Sequence, residues 1–147
     1  TPHMDRPCAL IAQSMGGVVA VLAALQRPEY LTHLVLVATS GGVPIDDLRP
    51  HDWRPDFMRS NPAFPAWMAR ERWNLAPQLA SVRAPTLLLW GDADAISPVA
   101  VGERLQGLLP RAQLQVLPGG AHDLAQTHAE AVAGHISRHL QAGAETA

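Results

Sequence analysis

The sequence predicts an α/β fold: a parallel sheet with helices packed on its faces. Three features point there. Short continuous apolar runs recur, too short for helices; helical segments separate them; and turn residues follow each run directly. The runs are residues 8–13, 34–38 and 86–90, and a fourth strand is read at 113–117. Continuous apolar character, rather than alternation, suits strands covered on both faces. Strands alternating with helices imply parallel pairing through crossover connections.

The first run, Cys8-Ala9-Leu10-Ile11-Ala12-Gln13, lies between Pro7 and a Ser-Met-Gly-Gly turn. Residues 15–26 read as an almost wholly apolar helix, ended by Arg27-Pro28 because the residue before proline disfavours the helical region. The second strand, 34–38, stops at Ser40-Gly41-Gly42, and the third, 86–90, at Gly91. A helix is expected over 98–109, with Ser97 as N-cap and Pro98 in the first helical position. The fourth strand, 113–117, ends at Pro118-Gly119-Gly120. In a last helix over 129–141, Val132, Ile136 and Leu140 recur at every fourth position, forming one apolar face. Residues 43–84 interrupt this order. They hold Trp53, Trp67, Trp73, Phe57, Phe64 and several prolines, and read as an irregular or short-helical excursion.

Composition narrows the function classes. With 48% hydrophobic and 16% charged residues, the chain is globular and not a disordered tail. A net charge of -2 and the absence of a basic run argue against nucleic-acid binding. No apolar stretch approaches the ~18 residues of a membrane span. The N-terminus has no signal-peptide anatomy, which favours a cytoplasmic location. It also lacks an initiator Met, which implies sequence upstream. Cys8, the lone cysteine, reads as a buried small hydrophobe. His135 and His139 lie four apart on one helix face with no third ligand in evidence, so no metal site is expected. The remaining histidines other than His122 read as surface or structural.

In an open parallel sheet, ligands bind beyond the C-terminal strand ends. Ser14 follows the first strand, Asp94 the third and His122 the fourth. A nucleophile, an acid and a base thus share one sheet edge. Ser14 sits in a strand-to-helix turn, Ala12-Gln13-Ser14-Met15-Gly16-Gly17, where small residues at 12 and 16 permit a sharp bend. That turn exposes a hydroxyl at a helix N-terminus and offers the Met15 N–H as an oxyanion donor. The bland alternative for Ser14 is a helix N-cap. His122 follows a glycine-rich loop, and an imidazole is the side chain best suited to act as base near neutral pH. Spacing alone does not choose between Asp92 and Asp94 as its partner; Asp123 is a third candidate, although adjacent residues usually point apart.

These residues resemble the C-terminal half of an α/β-hydrolase fold protein, in the ordered motifs Ala12 to Gly17, Pro85 to Asp94 and Gly119-Gly120-Ala121-His122. The resemblance spans about Arg6 to Leu140. It implies Ser14 as nucleophile, Asp94 as the orienting acid, His122 as base and the Met15 backbone N–H as one oxyanion donor. Ala12 stands where the family usually has Gly. A Ser nucleophile also sets the chain apart from the family's haloalkane dehalogenases and epoxide hydrolases, which use Asp there.

Further expectations follow from the resemblance. The chain is a partial domain over 1–147, with a core at 1–42 and 85–147 and a cap or lid insertion at 43–84. Its four strands correspond to the last four of a domain nearer ~250 residues. The missing N-terminal half of the sheet, from the same protein or another chain, would carry the second oxyanion donor. The implied activity is serine hydrolysis of a small, rather apolar ester or lactone, with no cofactor. The alternatives are carbon–carbon hydrolysis of a dienoic ring-cleavage product, or a truncated, non-catalytic fragment or interaction module. Trp53, Phe57 and Trp67 are the candidate substrate-binding residues, against the plainer reading that such aromatics form the cap's own small core.

Overall fold

The structure, a computed structural model, describes residues 3–70 and 72–144. The order is β1 (Cys8–Gln13), α1 (Met15–Gln26), β2 (Leu31–Val37), α2 (Arg54–Ser60), α3 (Ala66–Arg70), β3 (Thr86–Gly91), α4 (Val99–Leu108), β4 (Ala112–Leu117), α5 (Leu124–Thr127) and α6 (Ala129–Ala144). The four strands form one sheet in the order β1-β2-β3-β4, and every pairing is parallel.

The central strands bury both faces, as their continuous apolar runs require. Leu34 and Leu36 of β2, with Leu88 and Trp90 of β3, point to one face and pack against Val21 of α1 and Val101 and Leu105 of α4. Val35, Val37, Leu87 and Leu89 point to the other, toward Leu117, Leu124 and Val132. The period-two geometry of a strand thus distributes one apolar run between two cores. β1 departs from that expectation. Leu10 and Ala12 pack on the α1 side. Ile11 points to the opposite side and is 54% exposed. The helix covering that face, α6, packs over β2 and β3. Cys8 is correspondingly half-buried rather than buried.

Several boundaries move for local reasons. β2 begins at Leu31, because Leu31 and His33 already pair with Cys8 and Ala9. Thr32 and His33 resemble a polar boundary, yet His33 is buried. α4 begins at Val99 with Pro98, not Ser97, as its N-cap. Ser97 belongs instead to the preceding turn, where its N–H donates to Asp94. α6 extends to Ala144, past the expected end at 141.

Residues 43–84 contain α2, α3 and two 3-10 segments, Asp46–Leu48 and Ala76–Ser81. Several hydrogen bonds tie the excursion to the rest of the chain. Arg104 of α4 makes a bidentate pair with Asp47, the Leu75 N–H donates to Gly42 O, and the His51 N–H donates to Ala95 O at 2.8 Å. Among the described residues no helix is long and apolar enough to cross a membrane.

Candidate active site

Ser14 follows β1 and caps α1 positionally, at φ 52° and ψ −126°. Such a conformation is costly for a residue with a Cβ and persists only where the surroundings impose it. The Ser14 N–H donates to Val37 O at 3.0 Å and its carbonyl accepts from Gly17 N–H at 2.9 Å, fixing the turn on both sides. Its side chain makes no N-cap hydrogen bond. The hydroxyl is instead 2.9 Å from Nε2 of His122. The small residue that the turn depends on is Gly17 rather than Gly16. A Cβ on Gly16 would make ordinary contact with Ala12 at 3.9 Å, whereas one on Gly17 would lie 2.3 Å from the Thr39 hydroxyl.

His122 is held from several directions. Its Nδ1 lies 3.0 Å from Oδ2 of Asp94. Its backbone carbonyl accepts from Nε2 of Gln13 at 2.9 Å. The loop before it closes onto β3: Gly120 O accepts from Ala93 N–H at 2.8 Å, and a Cβ on Gly91 would fall 2.0 Å from Gly120 O. That contact requires glycine at 91.

The two carboxylates of the acid turn separate cleanly. The Asp94 side chain is 0% exposed. Its Oδ1 accepts from the N–H groups of Ile96 and Ser97, each at 2.9 Å, while Oδ2 faces His122. Nδ1 of His122 therefore carries the hydrogen, leaving Nε2 to accept from the Ser14 hydroxyl. Trp90, fully buried, donates its indole N–H to Ser97 O at 2.9 Å and anchors this turn to the core. Asp92 is exposed and accepts from Gly119 N–H at 2.7 Å, bracing the histidine loop. Asp123 is exposed at the start of α5.

The expected substrate-binding aromatics Trp53, Phe57 and Trp67 lie in the excursion, on and beside α2 and α3. Trp53 packs edge-on against Phe57, and Phe57 against Phe64, at centroid distances of 5.4 and 4.7 Å. These three rings are half-buried. Trp67 is 59% exposed on α3. The hollow beside His122 is lined by Gln13, Ala121, His122, Asp123 and Gln126. Gln13, a polar residue immediately before the turn, joins the expected residues at this edge. So does Thr39, which follows β2 at the same sheet edge, where ligand-facing residues of an open parallel sheet lie. Among the described residues no group of three or more His, Cys, Asp or Glu side chains could hold a metal ion.

Residues 52–147 match the family model Abhydrolase_4, described as TAP-like protein. The chain belongs to this α/β-hydrolase family. The matched region includes Asp94 and His122 and leaves out Ser14. This hydrolase-family chain is 25% identical to the uncharacterized hydrolase YugF of Bacillus subtilis, over 90% of the chain and 64% of YugF. It is 24% identical to the pimeloyl-[acyl-carrier protein] methyl ester esterase of Neisseria meningitidis, over 96% of the chain and 72% of that enzyme. The polyketide synthase ThaQ of Burkholderia thailandensis is 32% identical over 86% of the chain, which spans 8% of that protein. Among solved structures, an α/β hydrolase from the sediment metagenome of the Mar Chica lagoon matches with TM-score 0.70 and 28% identity, over 90% of this chain and 60% of that one. A thermophilic esterase from Thermogutta terrifontis shares the fold with TM-score 0.76 at 23% identity, over 94% of this chain and 66% of that one. The hydrolase-family chain thus spans less than two thirds of several of the proteins it resembles.

Proposed function

We propose that the chain carries the catalytic triad of a serine hydrolase acting on small, rather apolar esters or lactones. The observation that carries the reading is Ser14. Its strained backbone presents a hydroxyl that ignores its own helix and donates to His122. In the proposed mechanism, Ser14 Oγ attacks the carbonyl carbon while its proton passes to Nε2 of His122. Asp94 holds the imidazole in the required tautomer and stabilises the imidazolium. The tetrahedral oxyanion accepts from Met15 N–H, one of the free donors of α1. His122 then protonates the leaving alkoxide. Water next attacks the acyl carbon and gives a proton to His122, which passes it to Ser14 Oγ as the acyl–oxygen bond breaks and the carboxylic acid leaves.

An ester is supported by the relatives named as esterases. Carbon–carbon hydrolysis is the second reading. It is supported by the 2-hydroxy-6-oxononadienedioate/2-hydroxy-6-oxononatrienedioate hydrolase of Comamonas testosteroni, which is 37% identical over 59 residues. In either case residues 43–84 act as a cap, and the exposed edge of β1 receives the N-terminal half of the sheet, from the same protein or another chain. The exposed indole of Trp67 is available to an apolar substrate group in that assembly.

A fluorophosphonate probe tests the reading. Covalent labelling of the full chain, abolished in Ser14→Ala, is the expected result; no labelling with the N-terminal strands present would refute it. Turnover of p-nitrophenyl esters against a dienoic ring-cleavage product then separates the two substrate classes.

A further inference from the structure

We propose that Thr39 is a positioning residue that aims the oxyanion donor of Met15, an inference resting on the reading of Ser14 as nucleophile. Thr39 lies just past β2 and is 2% exposed. Its hydroxyl donates to the Ser14 carbonyl and accepts from Gly41 N–H at 3.1 Å. With a lone pair occupied by Gly41, the hydroxyl hydrogen is left for Ser14 O.

The Ser14 carbonyl and the Met15 N–H belong to one peptide group. That group is planar and trans, so fixing the oxygen fixes the direction of the N–H. The torsion that swings this plane is ψ of Ser14, held at −126°. The direction of Oγ depends on other torsions. The Thr39 tether therefore acts on the oxyanion donor and leaves the Ser14–His122 contact alone. Donation to the carbonyl also polarises the peptide and strengthens its N–H as a donor.

Two costly local features put Thr39 there. Ala38 adopts φ 46° at the end of β2, a left-handed conformation unfavourable for a residue with a Cβ. This bends the chain over the Ser14 turn. Gly17, in turn, leaves the space that the Thr39 side chain occupies. A bend with a cost at residue 38 and an obligatory glycine at residue 17 thus converge on one hydroxyl.

The test compares Thr39→Ser with Thr39→Ala in the full chain. Both lack the methyl group, so their difference isolates the hydroxyl at similar packing. Rates are expressed per active site titrated with the fluorophosphonate, which removes any loss from misfolding. The Ser variant is expected to exceed the Ala variant in kcat by roughly 10-fold, with KM within about 2-fold. Affinity for a boronic acid that forms a tetrahedral adduct falls in parallel, and the midpoint of the pH–rate profile stays in place. A purely structural Thr39 would change the titratable fraction and the melting temperature, not kcat per site. Equal kcat and equal boronate affinity in the two variants would overturn the positioning role while leaving Ser14 as nucleophile. Absence of labelling in the unmutated chain with the N-terminal strands present would overturn both.

Discussion

Asp92 and Asp94 stand two positions apart in one turn, yet only one of them is buried beneath His122. Asp94→Asn places an amide where a carboxylate now meets three donors, and is expected to lower kcat on the order of 10,000-fold. Asp92→Asn keeps an oxygen that can accept from Gly119, so its loss should stay within about 10-fold. Comparable losses would count against Asp94 as the acid. The glycines of the Ser14 turn separate in the same way. Gly17→Ala drives a Cβ into Thr39 and is expected to cost about 1–3 kcal/mol, read as a lowered melting temperature; Gly16→Ala should melt close to the unmutated chain. The turn and the histidine loop were legible in the sequence because small residues flank both. The choice between the two aspartates was not. It depends on which carboxylate the turn folds inward, and the N–H groups that decide it, of Ile96 and Ser97, look like any others in a sequence.

At the scale of elements, the continuous apolar runs revealed β1 and the central part of β2 and β3, and α1 fell on its expected bounds. Periodicity could not reveal that α6 brings His139 against His33 of β2. The two rings meet edge-on at 5.3 Å, and neither Nε2 has a hydrogen-bond partner. Burial, and then the neighbouring His33, lower the pKa of His139 below the usual value near 6.5, while the backbone at Pro85 and Leu34 opposes that shift. A histidine whose folded pKa is depressed is neutral in the folded state, while the unfolded chain binds the proton first as pH falls. Stability should therefore be unaffected well above pH 6.5, and decline as pH drops from there through the folded pKa. Replacing His139 by Phe should flatten that decline in urea melts recorded between about pH 5 and 8. An unchanged slope would mean that the pair is not the acid-sensitive contact between α6 and the sheet.

For the molecule as a whole, both edges of the sheet are strands without a charged residue. β4 exposes Gln113 and Val116, and β1 leaves Ile11 54% exposed. An uncharged, apolar strand edge is a template for pairing. Residues 3–144 in isolation are accordingly expected to self-associate at micromolar concentration in sedimentation velocity, and to become monomeric when strands are supplied to β1. A monodisperse monomer with one cooperative unfolding transition would contradict this. The same sheet has a consequence for how its folding can be followed. Ser14 and His122 leave opposite edge strands, roughly 14 Å apart by strand spacing, yet their side chains touch because the loop after β4 reaches back across the top of the sheet. Probe reactivity at Ser14 is then a gauge of the entire span. A fluorophosphonate should lose its target as soon as β4 detaches, even while β1, β2 and the serine turn remain intact, so a covalent label becomes a reporter of the most distant strand.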